Sequence, residues 1–141
     1  MGDRGNIIIR EGRKNGGGKH LDVYLYSHWG GSELALVARD ALKRGRDRWT
    51  DAPYLARIVF CEMLMGNADE RTLANMLETI GFGISPVMGD NEHLLVVLDV
   101  AGQTVLFVKE KGGTIWQKSF AAYCELSNDE IEEAFSEKGG N

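Results

Sequence analysis

Residues 21–45 read LDVYLYSHWGGSELALVARDALKRG, and a change of period inside this stretch decides the fold class. Leu21, Val23 and Leu25 alternate with Asp22, Tyr24 and Tyr26, which is the two-residue repeat of a strand. His28-Trp29-Gly30-Gly31 interrupts it. Beyond Ser32, an N-cap residue type followed by Glu33, the apolar positions become Leu34, Val37, Ala38, Ala41 and Leu42. That spacing of three and four is a helical stripe. A strand therefore hands over to a helix across a glycine pair, and the rest of the chain can be read outward from this junction.

Upstream, Asn6 to Glu11 with its Ile7-Ile8-Ile9 run reads as another strand, joined to the first by a polar glycine loop at 12–19. Downstream, Asp51 and Pro53 open a second helix, apolar on most sides, through Met65. A third is expected over 68–80, with Gly81 placed as a C′ glycine. After Pro86 and the turn-like Gly89-Asp90-Asn91 come three strand candidates, 93–100, 103–110 and 114–120, joined by Ala101-Gly102 and Gly112-Gly113. An acidic helix, 129–137, closes the chain. Strands, then helices, then strands predict an α+β fold: an antiparallel sheet of five or more strands covered by three to four helices. At 141 residues, with no linker and no repeat, residues 1–141 read as a single domain.

The composition narrows the function. Hydrophobic residues are 43% and charged residues 26%, an ordinary globular balance that excludes a disordered or fibrous chain. No apolar run is long enough for a membrane helix, and the charged start argues against a secretory leader. With only Cys61 and Cys124, a disulfide framework is not indicated, and a cytoplasmic location follows by default. Net charge is −5, divided as +4 over residues 1–48 and −9 over the remainder. An acidic whole argues against non-specific nucleic-acid binding, yet a local basic site for one or two phosphates fits. Eighteen glycines mark turns between periodic segments.

Tests for catalytic motifs return little. Gly18-Lys19 resembles the end of a phosphate loop, but Arg13 stands where its first glycine belongs and His20 where Ser or Thr belongs. His20, His28, His93, Cys61 and Cys124 have no metal-ligand spacing, so no metal and no cofactor is expected. Cys61 on an apolar helix face reads as packing. The acidic run Glu130, Glu132 and Glu133 reads as a solvated helix face.

One constellation stands out. Tyr24, Tyr26, His28 and Trp29 gather at a strand end before two glycines. Arg46, Arg48, Trp49, Tyr54 and Arg57 gather around the start of the second helix, where Tyr54 and Arg57 share a face. A guanidinium on an otherwise apolar helix is expensive unless paired or lining a cleft, so Arg57 is expected off the open surface. Rings that stack on a base and arginines that fork onto phosphate make a nucleotide pocket. In that pocket Tyr24, Tyr26, Trp29 and Phe82 would stack base or ribose. Arg46, Arg48 and Arg57 would hold phosphates, and His28 or Asn6 would bond hydroxyls. It requires the second helix to cover the tyrosine face of the sheet. The plainer reading gives these rings to the core and the arginines to carboxylates.

The strings at 2–7, at 24–31, at 48–58 and at 81–85 resemble a group of small proteins of phages and mobile elements, over roughly residues 2–110. The acidic C-terminal helix departs from that group. The resemblance implies a virus-like context and transfers no catalytic residue. By analogy of context and pocket composition, the chain is similar in style to anti-defence sponges, which hold a cyclic or ADP-ribose-derived immune signal without cleaving it. The expectation is thus a nucleotide-sequestering protein of the host cytoplasm, homo-oligomeric and without an enzymatic step. The alternatives are a phosphodiesterase-like enzyme using His28, and a protein-binding inhibitor using the acidic C-terminal helix.

Overall fold

A computed structural model describes residues 2–12, 21–65 and 81–139. The helix expected over 68–80 and residues 13–19 of the expected loop lie outside the described residues. The strands are β1 (Gly5–Glu11), β2 (Leu21–Ser27), β3 (Phe82–Ser85), β4 (Leu95–Asp99), β5 (Thr104–Val108) and β6 (Thr114–Ser119). The helices are α1 (Leu34–Arg44), α2 (Ala52–Met65), α3 (Phe120–Cys124) and α4 (Asn128–Gly139), with 3-10 turns at Gly31–Glu33 and Arg46–Arg48. The strands form one sheet in the order β3-β2-β1-β4-β5-β6. The fold class is α+β.

The sheet is mixed, which corrects the wholly antiparallel expectation. β1 and β4 pair in parallel, Ile7 opposite Val96 and Ile9 opposite Leu98, while the other pairings are antiparallel. Parallel neighbours need a long connection, and here it carries β2, α1, α2 and β3 among the described residues. The short β3 forms where the sequence offers no strand candidate. It adds to the outer edge of β2, with Phe82 opposite Ser27. From there the chain must cross back to the middle of the sheet before β4 can pair with β1.

All four described helices share one core with one face of the sheet. Leu34, Ala38 and Leu42 of α1, Leu55, Val59 and Met63 of α2, Phe120 and Tyr123 of α3, and Ile131 and Phe135 of α4 are buried with Ile7, Ile9, Leu25, Val96, Leu98 and Phe107. Phe107 lies at the centre, stacked on Trp116 at 4.5 Å and edge-on to Phe135 at 5.2 Å. The opposite face carries a smaller cluster, Ile8, Leu95 and Val97, flanked by Tyr24, Met88, Leu106 and Val108. Strand alternation dictates this split, because Ile7 and Ile9 point to the helices and Ile8 must point away.

Candidate functional site

β2 alternates as expected, but α2 covers the face of Val23 and Leu25. Tyr24 and Tyr26 lie on the other face, opposite Ile8 and Asn6 in the register of β1. Along β2, the start of α2 lies against Leu21 and Val23, while Phe60, two turns on, meets Phe82 beside Ser27. The aromatic and arginine halves of the constellation therefore sit on opposite faces of the sheet and toward opposite ends of β2. The single concave site expected from Tyr24, Tyr26, His28, Trp29, Arg48, Trp49 and Arg57 is not formed. The reason is that Leu25 and Val23 are the more apolar face, and the helices bury it.

At the aromatic end, Tyr26 Oη and His28 Nδ1 lie 3.0 Å apart, and the His28 ring meets Trp29 edge-on at 4.5 Å. The crossing segment before β4 packs on these residues. Gly89 lies so close to Tyr26 that a Cβ there would come within 2.7 Å of the ring. Trp29 lies equally close to Gly81 and remains 56% exposed. Asn6 is fully buried, and its amide is used by the protein itself: Nδ2 donates to the Gly89 and Asp90 carbonyls, and Oδ1 accepts from Gly89 N. It pins the crossing segment to β1, and this corrects its expected position at a ligand hydroxyl. Phe82 is half-buried against Phe60 on the helix-covered face, away from Tyr24 and Tyr26.

Beside these rings lies a charged cluster that the sequence reading passed over. Asp3 Oδ2 accepts from the Ser32 hydroxyl at 2.6 Å and from Ser32 N at 3.1 Å, and Asp3 Oδ1 meets His93 Nε2 at 2.5 Å. Burial raises the Asp3 carboxyl, but the Ser32 and His93 bonds outweigh it, and the group titrates below its ordinary value. Arg4 reaches Asp90 and Glu92, each at 3.1 Å. These contacts span up to 90 residues of chain, so no local spacing could signal them. Three carboxylates against one guanidinium make this end unfavourable for phosphate.

The other half is basic and exposed. Arg46 lies over the Trp49 ring at 5.0 Å from its centroid, and Arg48 over the Tyr54 ring at 4.6 Å. Trp49 donates its indole N–H to the Leu42 carbonyl and packs on Phe120, so it is a fixed platform at the rim of the core. Arg46, Arg48 and Arg57 make no ion pair with a carboxylate among the described residues. Arg57 is exposed, which corrects the expectation that it would be paired or lining a cleft. The buried stripe of α2 is Ala52, Leu55, Val59 and Met63, and Arg57 falls about 160° from Leu55 around the helix, on the outer side.

Two concavities lie among the described residues. A cleft of about 290 Å³ lies between the first turns of α2 and the β1–β2 hairpin, and a polar groove of about 340 Å³ lies between α1 and α2 at Asp40, Lys43, Arg44 and Glu62. Arg44 and Glu62 pair across that groove at 2.9 Å. Among the described residues no His, Cys, Asp and Glu cluster could hold a metal, and no helix is long and apolar enough to cross a membrane. No family model, curated protein or solved structure matches the chain.

Proposed function

We propose that this chain is a binding protein for a phosphate-bearing, nucleotide-derived small molecule, which it sequesters without cleaving, in the manner of an anti-defence sponge acting in the host cytoplasm. The observation that carries the reading is the pair of guanidiniums held over rings, Arg46 on Trp49 and Arg48 on Tyr54, with no carboxylate taking up their charge among the described residues. Each ring fixes the plane of its guanidinium and leaves the outward N–H groups for an anion. Arg57 stands on the exposed side of the same helix. Tyr54, 48% exposed, offers ring surface for a base. Phosphate recognition thus falls to residues 46–57 alone, because Asp3, Asp90 and Glu92 surround the Tyr26–His28–Trp29 end. Cyclic and ADP-ribose-type compounds have the required chemistry, and the protein acts as a homo-oligomer in this reading.

The test is calorimetry with cyclic dinucleotides and ADP-ribose-type compounds, followed by recovery of the bound compound after heat denaturation. Binding with intact recovery supports the proposal, and Arg46→Ala and Arg48→Ala are each expected to weaken it about tenfold. Recovery of an altered compound assigns hydrolysis instead, with His28 as the first residue to substitute. Full affinity in the Arg46→Ala/Arg48→Ala double variant removes the site, and capture of no compound removes the function.

A further inference from the structure

The sheet ends at β3 on one side and at β6 on the other. β3 is four residues long, but β6 has six, Thr114-Ile115-Trp116-Gln117-Lys118-Ser119, without proline and with β-branched and aromatic residues that suit a strand. Thr114, Gln117, Lys118 and Ser119 are exposed, while Ile115 and Trp116 pack half-buried on the helix-side core. Among the described residues, β6 has β5 as its one strand neighbour, and nothing hydrogen-bonds to the outer backbone edge of 114–118.

The ladder fixes which groups point outward. Phe120 N donates to the Gln103 carbonyl at 2.7 Å, one step beyond the Thr104–Ser119 pair. Antiparallel pairs alternate between bonded and non-bonded. Lys118 and Trp116 are therefore the bonded partners of Val105 and Phe107, and Gln117 between them turns its N–H and C=O outward. The irregularity opposite Phe107 and Val108 takes up Ile115, so the regular edge is 116–119. Outward N–H and C=O groups on an exposed edge are a template for one more strand.

The side chains say which strand fits. When β6 pairs antiparallel with itself about Gln117, Gln117 meets its own copy and the two exchange both backbone bonds. Lys118 then stands opposite Trp116 of the partner subunit, on the face where Trp116 is stacked on Phe107. An ammonium beside an indole is an attractive pair. A slip of two residues one way sets Lys118 against Lys118 of the partner subunit, and a slip the other way brings the irregular Ile115 into the ladder. One register is therefore favoured, and in it the edge is complementary to itself in charge.

We propose that β6 is a docking edge for a second copy of this chain, added antiparallel about a two-fold axis at Gln117, so that the two sheets join edge to edge. The inference rests on the homo-oligomer of the proposed function and on none of its ligand assignments. So short a contact belongs with the small, transient interfaces, and a micromolar dimer is expected.

Light scattering of the full chain should show the dimer forming across the micromolar range. Amide exchange at Gln117 should slow as concentration rises. Gln117→Pro removes the central outward N–H, which β5 does not use, and should weaken the dimer at least about tenfold. Gln117→Lys keeps every backbone bond within the chain but sets like charges face to face, and should weaken it about fivefold; it serves should the proline variant fail to fold. A dimer of unchanged strength in the folded variants, or exchange at Gln117 independent of concentration, overturns the edge and leaves the homo-oligomer standing. A wild type of one-chain mass throughout overturns both and leaves the edge to an extended segment of another protein. Nucleotide titrations decide neither outcome, so failure of the ligand assignment is read separately.

Discussion

Asp3 shows how much a single carboxylate organises at one end of the molecule. It ties the segment before β1 to Ser32, inside the first 3-10 turn, and to His93, where the crossing segment enters β4. Its folded carboxyl titrates below the ordinary value of 3.8. Its contribution to stability is therefore complete above that value and is lost as pH falls through the lowered one. Asp3→Asn is expected to cost about 1 kcal/mol at neutral pH. In urea melts across the acid range the gap to wild type should close as pH drops below about 4; a constant gap would show that charge is irrelevant here. Gln103 is the second such residue. It holds φ +50° in the β4–β5 turn, where only glycine is unstrained. Gln103→Gly should raise stability by up to about 1 kcal/mol, read as a higher melting temperature.

At the scale of elements, α3 is short and is held by the burial of Phe120 and Tyr123 together with one buried hydrogen bond. Tyr123, fully buried, donates its hydroxyl to the Ala35 carbonyl of α1 at 2.6 Å, and burial pushes its phenol well above the ordinary range. Tyr123→Phe removes this second donor from a carbonyl that the helical amide four residues on also serves, and should cost about 1 kcal/mol in urea unfolding. A smaller loss would mean that Ala35 finds another partner. α3 itself was not legible: Thr114 to Phe120 reads as one strand, and the chain turns helical at Phe120 because Ser119 caps it, its hydroxyl accepting from Ala122 N. β3 was hidden for the opposite reason. Four residues, Gly83 among them, carry almost no strand signal, and pairing with β2 alone makes them a strand.

At the scale of the whole molecule, an acidic chain of net charge −5 carries an exposed basic turn. Under the proposed function, nucleotide binding there should weaken with rising salt, but gently, because a compound with one or two phosphates would be held. A steep salt slope in calorimetry would point to a polyanion instead. Two-fold dimers are the commonest assemblies, and light scattering should give twice the 15.6 kDa of one chain. A mass of one chain across the micromolar range would remove the homo-oligomer.

Residue periodicity alone determined the α+β class, the hairpin of β1 and β2, the boundaries of α1 and α2 to within a few residues, and the β4–β5–β6 meander. Each is local, since a two-residue or 3.6-residue repeat names both the element and its buried side. Periodicity says that β2 has an aromatic face and an aliphatic face. It does not say which one a helix will cover. That choice was tertiary: Ile7, Leu25, Val96 and Phe107 come from four strands and form one apolar surface only after the sheet assembles. The helices bury that surface, which leaves Tyr24 and Tyr26 on the reverse side and divides the eleven candidate residues between two ends of the protein. The Asp3–His93 contact and the parallel pairing of β1 with β4 are tertiary for the same reason: their partners are separated by about ninety residues, a distance over which no sequence spacing carries a signal.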